Sequence, residues 1–304
     1  MIAGGHAVLT QLHTRRRVLV PVLMGQMARP IISVGDALAS SPGASGRLLA
    51  LVEIRSGRDN EVFAQQRRRR DLLLWLAGLE YSSEIRRRMG VSIRLTANVA
   101  SSVRDTVAEH ETTSLILEWP TTTSARRHGL ADLTRQLLRD GSTDLFFVRT
   151  SPRNQNQPIA PRSILASIRG GHGARVVAFA AAALADVYGS VLTLLHVQTS
   201  SQHPDRSRRE WKSFEEIVRE LNRPAAIVTV RRRDSAAATI LEEAAGHDLI
   251  MIGSRLDPTK PQMLIGRELD RVLRHLEAPV VMIRARPSSR SESARSIAVN
   301  GHRM

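Results

Sequence analysis

Short runs of apolar residues alternate with longer stretches whose apolar positions recur every three or four residues, from Val18 through Ile283. The short runs are almost wholly apolar rather than in-out alternating, as in strands of a sheet that helices cover on both faces. They predict strands over Val18–Leu23, Leu48–Ile54, Val91–Ala97, Ser114–Glu118 and Leu145–Val148. Five more are predicted over Ile164–Ile168, Val191–Val197, Ala226–Val230, Leu249–Ile252 and Val280–Ile283. Between the later strands lie helix-period stretches at Ala174–Val187, Arg208–Leu221, Ser235–Ala245 and Leu264–Leu276. In the earlier part the longest and most basic such stretch is near Val62–Met89. Strands and helices in alternation predict doubly wound parallel sheets.

The pattern occurs twice. Residues 137–149 align without gaps to 272–284, each a helix end, a short turn and an apolar run closed by arginine, Arg149 and Arg284. Upstream, Leu115-Ile116-Leu117 matches Leu249-Ile250-Met251. Such internal similarity sets the architecture. The expected fold class is α/β, with two tandem doubly wound domains, each a five-stranded parallel sheet with helices on both faces. The first domain is expected over 1–150 and the second over 163–285. Residues 151–162 between them, with Pro152, Pro158 and Pro161 among polar residues, have linker composition. Residues 286–304 are poor in apolar side chains and are expected to be a disordered tail.

Composition narrows the classes. A chain of 304 residues with 42% hydrophobic and 24% charged residues is globular, and two domains of this size can each bury a core. The longest apolar run, Val176 to Ala185, is half of what a bilayer crossing needs, so no membrane span is expected. The first residues lack the basic-then-apolar order of a secretion signal, and there is no cysteine; both fit a cytoplasmic location. The net charge of +15 points toward nucleic acid until its distribution is considered. It divides as +7 over 1–150, +5 over 151–285 and +3 over the remainder, and all but two of the 44 basic residues are arginine. The densest clusters, Arg67–Arg70 and Arg86–Arg88, flank the apolar stretch Leu72 to Leu79, as on the solvated face of a helix with a buried stripe. Aromatics at 3% are too few for a base-stacking platform, so no specific nucleic-acid partner is expected.

Catalytic signatures are sparse. The ten histidines show no HxxxH or HExxH spacing for a metal, and no Gly-x-Ser-x-Gly elbow occurs. Arg169-Gly170-Gly171-His172-Gly173 follows a predicted strand but lacks the Lys-Ser/Thr of a P-loop. His196 lies near the end of an apolar run, where a satisfied core role is the ordinary one. The chain is therefore expected not to be an enzyme.

Three segments of the later copy together resemble the universal stress protein family. They are Asp248-Leu249-Ile250-Met251-Ile252-Gly253-Ser254-Arg255, Leu264 through His275 with Gly266 and Arg267, and Ala278-Pro279-Val280-Val281-Met282-Ile283-Arg284. The earlier copy is similar mainly in the order of its elements and its final strand. The resemblance implies glycines at i, i+3 and i+13 with a following hydroxyl residue, where backbone N–H groups approach phosphate. Gly253, Ser254, Gly266 and Arg267 are the cofactor-binding candidates on this basis. The middle glycine is replaced by Leu256, the hydroxyl by Arg267, and the aspartate ending the first strand by Arg169. In the earlier copy Leu23 holds the aspartate's place, and the alignment sets Trp119, Ala131 and Asp132 against Gly253, Gly266 and Arg267. A largely lost nucleotide site is expected, with no cofactor; the alternative is weak ATP or AMP binding by the second domain.

Glu118-Trp119-Pro120 is also reminiscent of the cytoplasmic domains of bacterial amino-acid permeases and cation–chloride cotransporters. The function implied is regulatory binding, either in stress response or on a membrane transporter, the protein partner itself being unknown. A basic nucleic-acid binder is the remaining alternative. The resemblance further implies that the final strands of the two domains pair antiparallel in an intramolecular pseudo-dimer. Both strands are apolar at every position, a hazard on an open edge. Phe146, Phe147, Val281 and Met282 are the expected interface residues.

Overall fold

The computed structural model describes residues 16–23, 28–53, 67, 70, 71, 74, 89–119, 130–150, 157–199, 203–223, 226–254, 273 and 275–287. The first half comprises β1 (Arg17–Leu23), α1 (Ala28–Ala39), β2 (Ser45–Glu53), β3 (Met89–Thr96), α2 (Val99–Glu109), β4 (Ser114–Glu118), α3 (Leu130–Asp140) and β5 (Asp144–Arg149). The second comprises β6 (Ser163–Ser167), α4 (His172–Tyr188), β7 (Val191–Thr199), α5 (Pro204–Leu221), β8 (Ala226–Arg233), α6 (Ala236–Ala244), β9 (Leu249–Gly253) and β10 (Val280–Arg284). The expected strands all form, with ends shifted by at most three residues and Ser114–Glu118 unchanged. Met89, the expected end of a helix, instead opens β3; the rest of the Val62–Met89 helix falls almost wholly outside the described residues, as do the segment 151–156 and residues 288–304.

Ten strands form one sheet in the order β3-β2-β1-β4-β5-β10-β9-β6-β7-β8. Read inward from each edge, the two halves repeat the same order. Neighbours are parallel throughout, apart from the central pair. There β5 and β10 run antiparallel, from Val280 opposite Arg149 to Arg284 opposite Leu145. In each half the strand order reverses once, between β1 and β4 and between β6 and β9. Such reversal points open crevices at the carboxyl ends of the strands. The β1–β4 ladder holds only Val18–Ser114 and Leu19–Leu115; beyond it comes Pro21, which has no N–H to continue a ladder. The matching β6–β9 ladder extends over four pairs.

The helices form where local signals allow. Asn98 caps α2 by accepting the Ser101 N–H at 3.0 Å, and Ser235 caps α6 by accepting that of Ala238 at 3.3 Å. The alanine-rich α4 ends at Gly189, whose left-handed φ of 65° closes its last turn. Close packing holds α1 on the sheet: a Cβ on Gly35 would lie 2.2 Å from Val20 Cγ2.

One hydrophobic core spans both halves on the face covered by α1, α4 and α5. On the opposite face each half has its own core. Met282 from β10 enters the first-half cluster, and Trp119 packs against both. The Trp119 ring meets Phe147 edge-on at 6.0 Å. Across the first face, Tyr188 Oη donates to the Ser33 carbonyl at 3.0 Å. Part of the proline-rich segment is also packed: the Ile159 N–H donates to Ser33 Oγ at 2.9 Å and its side chain is buried. Ser190 Oγ anchors Pro161 by donating to its carbonyl at 2.6 Å. From 157 onward, therefore, this segment is not a free linker.

Met282 lies opposite Phe147 at the middle of the antiparallel pair, and each is 1% exposed. Phe147→Ala is expected to remove roughly 3–5 kcal/mol of stability through the cavity it leaves. Met282→Asp should place an unpaired charge there, giving aggregation or a strongly lowered melting temperature. Denaturant titration and size-exclusion chromatography check both, and unchanged melting and solubility of Met282→Asp would contradict the packing described.

Candidate functional site

The crevice of the second half is bounded by the loop after β6. Arg169 is exposed there, followed by Gly170 and Gly171 with φ of 145° and 82°. These angles suit glycine alone, and Gly170 is also crowded: a Cβ would come within 2.8 Å of the Glu210 carbonyl oxygen. Helix α5 thus presses its backbone onto the loop. Its Ser213 Oγ accepts the Gly171 N–H at 2.7 Å, so that amide already has an internal partner.

Beside this contact lies an aromatic cluster. His196 on β7 is buried, with its ring 4.9 Å from Phe214 and 5.7 Å from Trp211, both on α5. Its Nδ1 lies 3.1 Å from the Ile168 carbonyl oxygen, a contact in which the ring nitrogen donates. Burial lowers its pKa, partly countered by that carbonyl and by Glu210. The site is a packed, neutral imidazole at the strand ends, a structural role.

Gly253 ends β9 and is exposed. A Cβ there would stand 3.3 Å from Val177 Cγ2 on α4, so glycine relieves a close helix–strand approach. The Ser254 N–H donates to the Ile283 carbonyl at 2.8 Å, which occupies it in the ladder to β10. Gly266 and Arg267, with Leu256, Lys260 and Arg255, lie outside the described residues.

The sheet corrects the alignment of the two halves by one residue. Glu118 pairs with Val148 on β5, and Gly253 pairs with Ile283 on β10. Val148 and Ile283 occupy equivalent places in the two final strands, so Glu118, rather than Trp119, stands where Gly253 does. The next residues agree: the Trp119 N–H donates to the Val148 carbonyl at 2.8 Å, as Ser254 does to Ile283. Both strands are buried on both faces, and without in-out alternation the hydrophobic pattern could not fix a register. The correction sharpens the chemistry. The first-half crevice holds a half-buried carboxyl where the second half has glycine, and burial pushes the Glu118 carboxyl above the ordinary carboxylate range. Leu23, at the end of β1, is buried.

Sequence reasoning missed Glu118 as a crevice residue and the contact of α5 with the loop of the second crevice. The first lay in a one-residue slip; the second had a local sign in Trp211 and Phe214, three residues apart on a helix otherwise rich in charge. Among the described residues no group of His, Asp and Glu side chains is arranged to hold a metal ion. Among the same residues no helix is long and apolar enough to cross a membrane.

Residues 162–284 match the model of the universal stress protein family. No curated protein sequence matches the chain. Among solved structures, a universal stress protein from Archaeoglobus fulgidus DSM 4304 superposes with a TM-score of 0.56 at 13% identity, covering 90% of this chain and 97% of that one. A protein described as a universal stress protein from Pseudomonas aeruginosa UCBPP-PA14 gives 0.53 at 16%, covering 90% and 95%. The cytoplasmic domain of a prokaryotic cation chloride cotransporter gives 0.53 at 11%, covering 88% and 95%. At these identities the likeness concerns the fold.

The lowered pKa of His196 has a testable consequence. The folded protein keeps this imidazole neutral at pH values where the unfolded chain, with an ordinary value of 6.5, has taken up a proton. Stability from this group is full above 6.5 and is lost as pH falls from there toward the folded-state value. His196→Phe keeps the ring contacts and should flatten that fall, leaving the share from His110 and His172, which burial also lowers. At about pH 8 the variant should lose about 1 kcal/mol for the missing hydrogen bond. Denaturant titrations between about pH 5 and pH 8 check this, and equal slopes for wild type and variant would contradict it.

Proposed function

We propose that this protein is a non-enzymatic regulatory protein of the universal stress protein kind, built as two tandem copies that act through a bound protein partner, with the nucleotide site largely lost. The observation that carries the reading is Glu118 at the place of Gly253. A carboxylate there repels phosphate, and a buried protonated carboxyl still fills the space that glycine would leave open. The second crevice supports the same reading. Its loop rests against α5 at Gly170, and the Gly171 and Ser254 amides have internal partners. Gly253, Ser254, Gly266 and Arg267 then serve turn geometry inherited with the fold.

A second reading names the partner class. The structural likeness to a cotransporter's cytoplasmic domain favours regulation of a membrane transporter from the cytoplasmic side. That fits a chain whose described helices do not cross a membrane.

Thermal melting with ATP and AMP tests the loss of the nucleotide site. A ligand at about 100 times its dissociation constant adds about 2.7 kcal/mol to stability, a shift that a melting curve registers. Millimolar ATP or AMP is expected to leave the melting temperature unchanged. A clear rise that Gly266→Val abolishes would replace this reading with nucleotide binding by the second copy.

A further inference from the structure

The surplus positive charge of residues 151–285 gathers at one corner of the second half. Helix α5 carries Arg206, Arg208, Arg209 and Lys212 near its start, all of them exposed. Strand β8 ends in Arg231-Arg232-Arg233, in register with Val197, Gln198 and Thr199 at the end of β7, from which the chain runs on to α5. The exposed Arg169 adjoins the same helix, because Gly170 crowds the Glu210 carbonyl and the Gly171 N–H donates to Ser213. Against these cations stand only Asp205, Glu210 and Asp234, a balance of +5 that equals the whole surplus of residues 151–285. The remaining charges of that span cancel.

Local rules do not favour this arrangement. Arg206 lies in the first turn of α5, at the positive end of the helix dipole. Arg208 and Lys212 are like charges four residues apart on one helix face, a pairing that costs stability. Residues that break local rules are expected where function requires them. Two of the guanidiniums are also held in place. Arg206 Nε donates to Glu210 Oε1 at 3.0 Å and Arg209 Nε to the Asp205 carbonyl at 3.3 Å, which leaves the Nη pair of each untied. Among the described residues Arg208 and Lys212 have no hydrogen-bond or ion-pair partner. A guanidinium fixed by its Nε can grip a carboxylate through both Nη groups with little further ordering.

We propose that this corner is the docking surface for an acidic segment of the protein partner, one whose Asp and Glu side chains pair with α5 and the end of β8. The carboxylates among the cations favour a discrete segment over an extended anionic surface. Asp205, with its side chain 71% exposed in the first turn of α5, and Asp234, exposed just past β8, stand at the rim. A lipid plane or the regular phosphates of a duplex would meet these carboxylates along with the cations, whereas a peptide can set its own acids between them. The proposal rests on the reading that the chain acts through a bound protein partner, and adds where and by what chemistry that partner is met.

The test measures binding of the full chain to a fluorescein-labelled deca-glutamate peptide by anisotropy at fixed ionic strength. Saturable binding is expected, weakened roughly tenfold by Arg208→Glu/Arg209→Glu. These substitutions give Lys212 opposite charges in place of like ones, so the melting temperature is expected not to fall. Arg104→Glu/Arg162→Glu changes the net charge equally at exposed sites elsewhere and should leave the affinity nearly unchanged. Absence of saturable binding, or equal weakening by the two pairs, would overturn the proposal. So would a greater effect of the α5 pair on binding to phosphatidylserine-containing vesicles or to duplex DNA than on binding to the peptide. ATP stabilisation that Gly266→Val abolishes would overturn the loss of the nucleotide site; failure of the peptide to bind sinks this proposal alone.

Discussion

The antiparallel backbone ladder between β5 and β10 is the constraint on which the rest of the molecule depends. Leu145-Phe146-Phe147-Val148 and Val280-Val281-Met282-Ile283 would each be a long apolar edge if left open. Pairing them satisfies both rows of backbone groups and makes ten strands one sheet. A single core then runs beneath both halves on one face, and α1 and α4 meet across the seam through Ser33 and Tyr188. On the other face Trp119 and Met282 join what would otherwise be two separate clusters. The seam is closed at one corner by Arg149, whose Nη2 donates to the Leu276 carbonyl at 2.8 Å. Burial lowers the pKa of Arg149 and of Arg284, its counterpart, without bringing either near deprotonation.

Antiparallel joining also decides what surrounds each crevice. It sets the amino ends of one half against the carboxyl ends of the other, so residues far apart in sequence share one environment. By this route Asp144, at the start of β5, accepts the Arg286 N–H just past β10 at 2.8 Å. Within the second half, α5 rests its backbone on Gly170 and its aromatic rings on His196. Within the first, Glu118 stands half-buried at the end of its own strand. The two halves therefore share a topology while placing different residues at the ends of their strands, Glu118 in one and Gly253 in the other.

Much of this architecture was legible in the sequence, for a definite reason. Strands covered on both faces appear as nearly continuous apolar runs, and Val191 onward or Leu249 onward could hardly be anything else. The same property hides register. Leu115-Ile116-Leu117 and Leu249-Ile250-Met251 are alike at every position, so nothing opposed a slip of one residue, and that slip concealed Glu118 behind Trp119. The polar, proline-rich composition around Pro158 likewise concealed Ile159, a lone apolar residue that packs against α1. The contact of Asp144 with the Arg286 N–H carried no sequence signal, because it forms across the seam with the other half. Gly266 and Arg267 lie outside the described residues.

Backbone hydrogen exchange of the intact protein measures the central ladder directly, since each amide reports the opening of its own hydrogen bond. The account predicts that amides of 145–148 and 280–283 exchange among the slowest in the chain, together with those of β4 and β9, and with a common opening free energy. Exchange of either segment as fast as that of the outer strands β3 and β8 would contradict it, for the two halves would then not share a sheet.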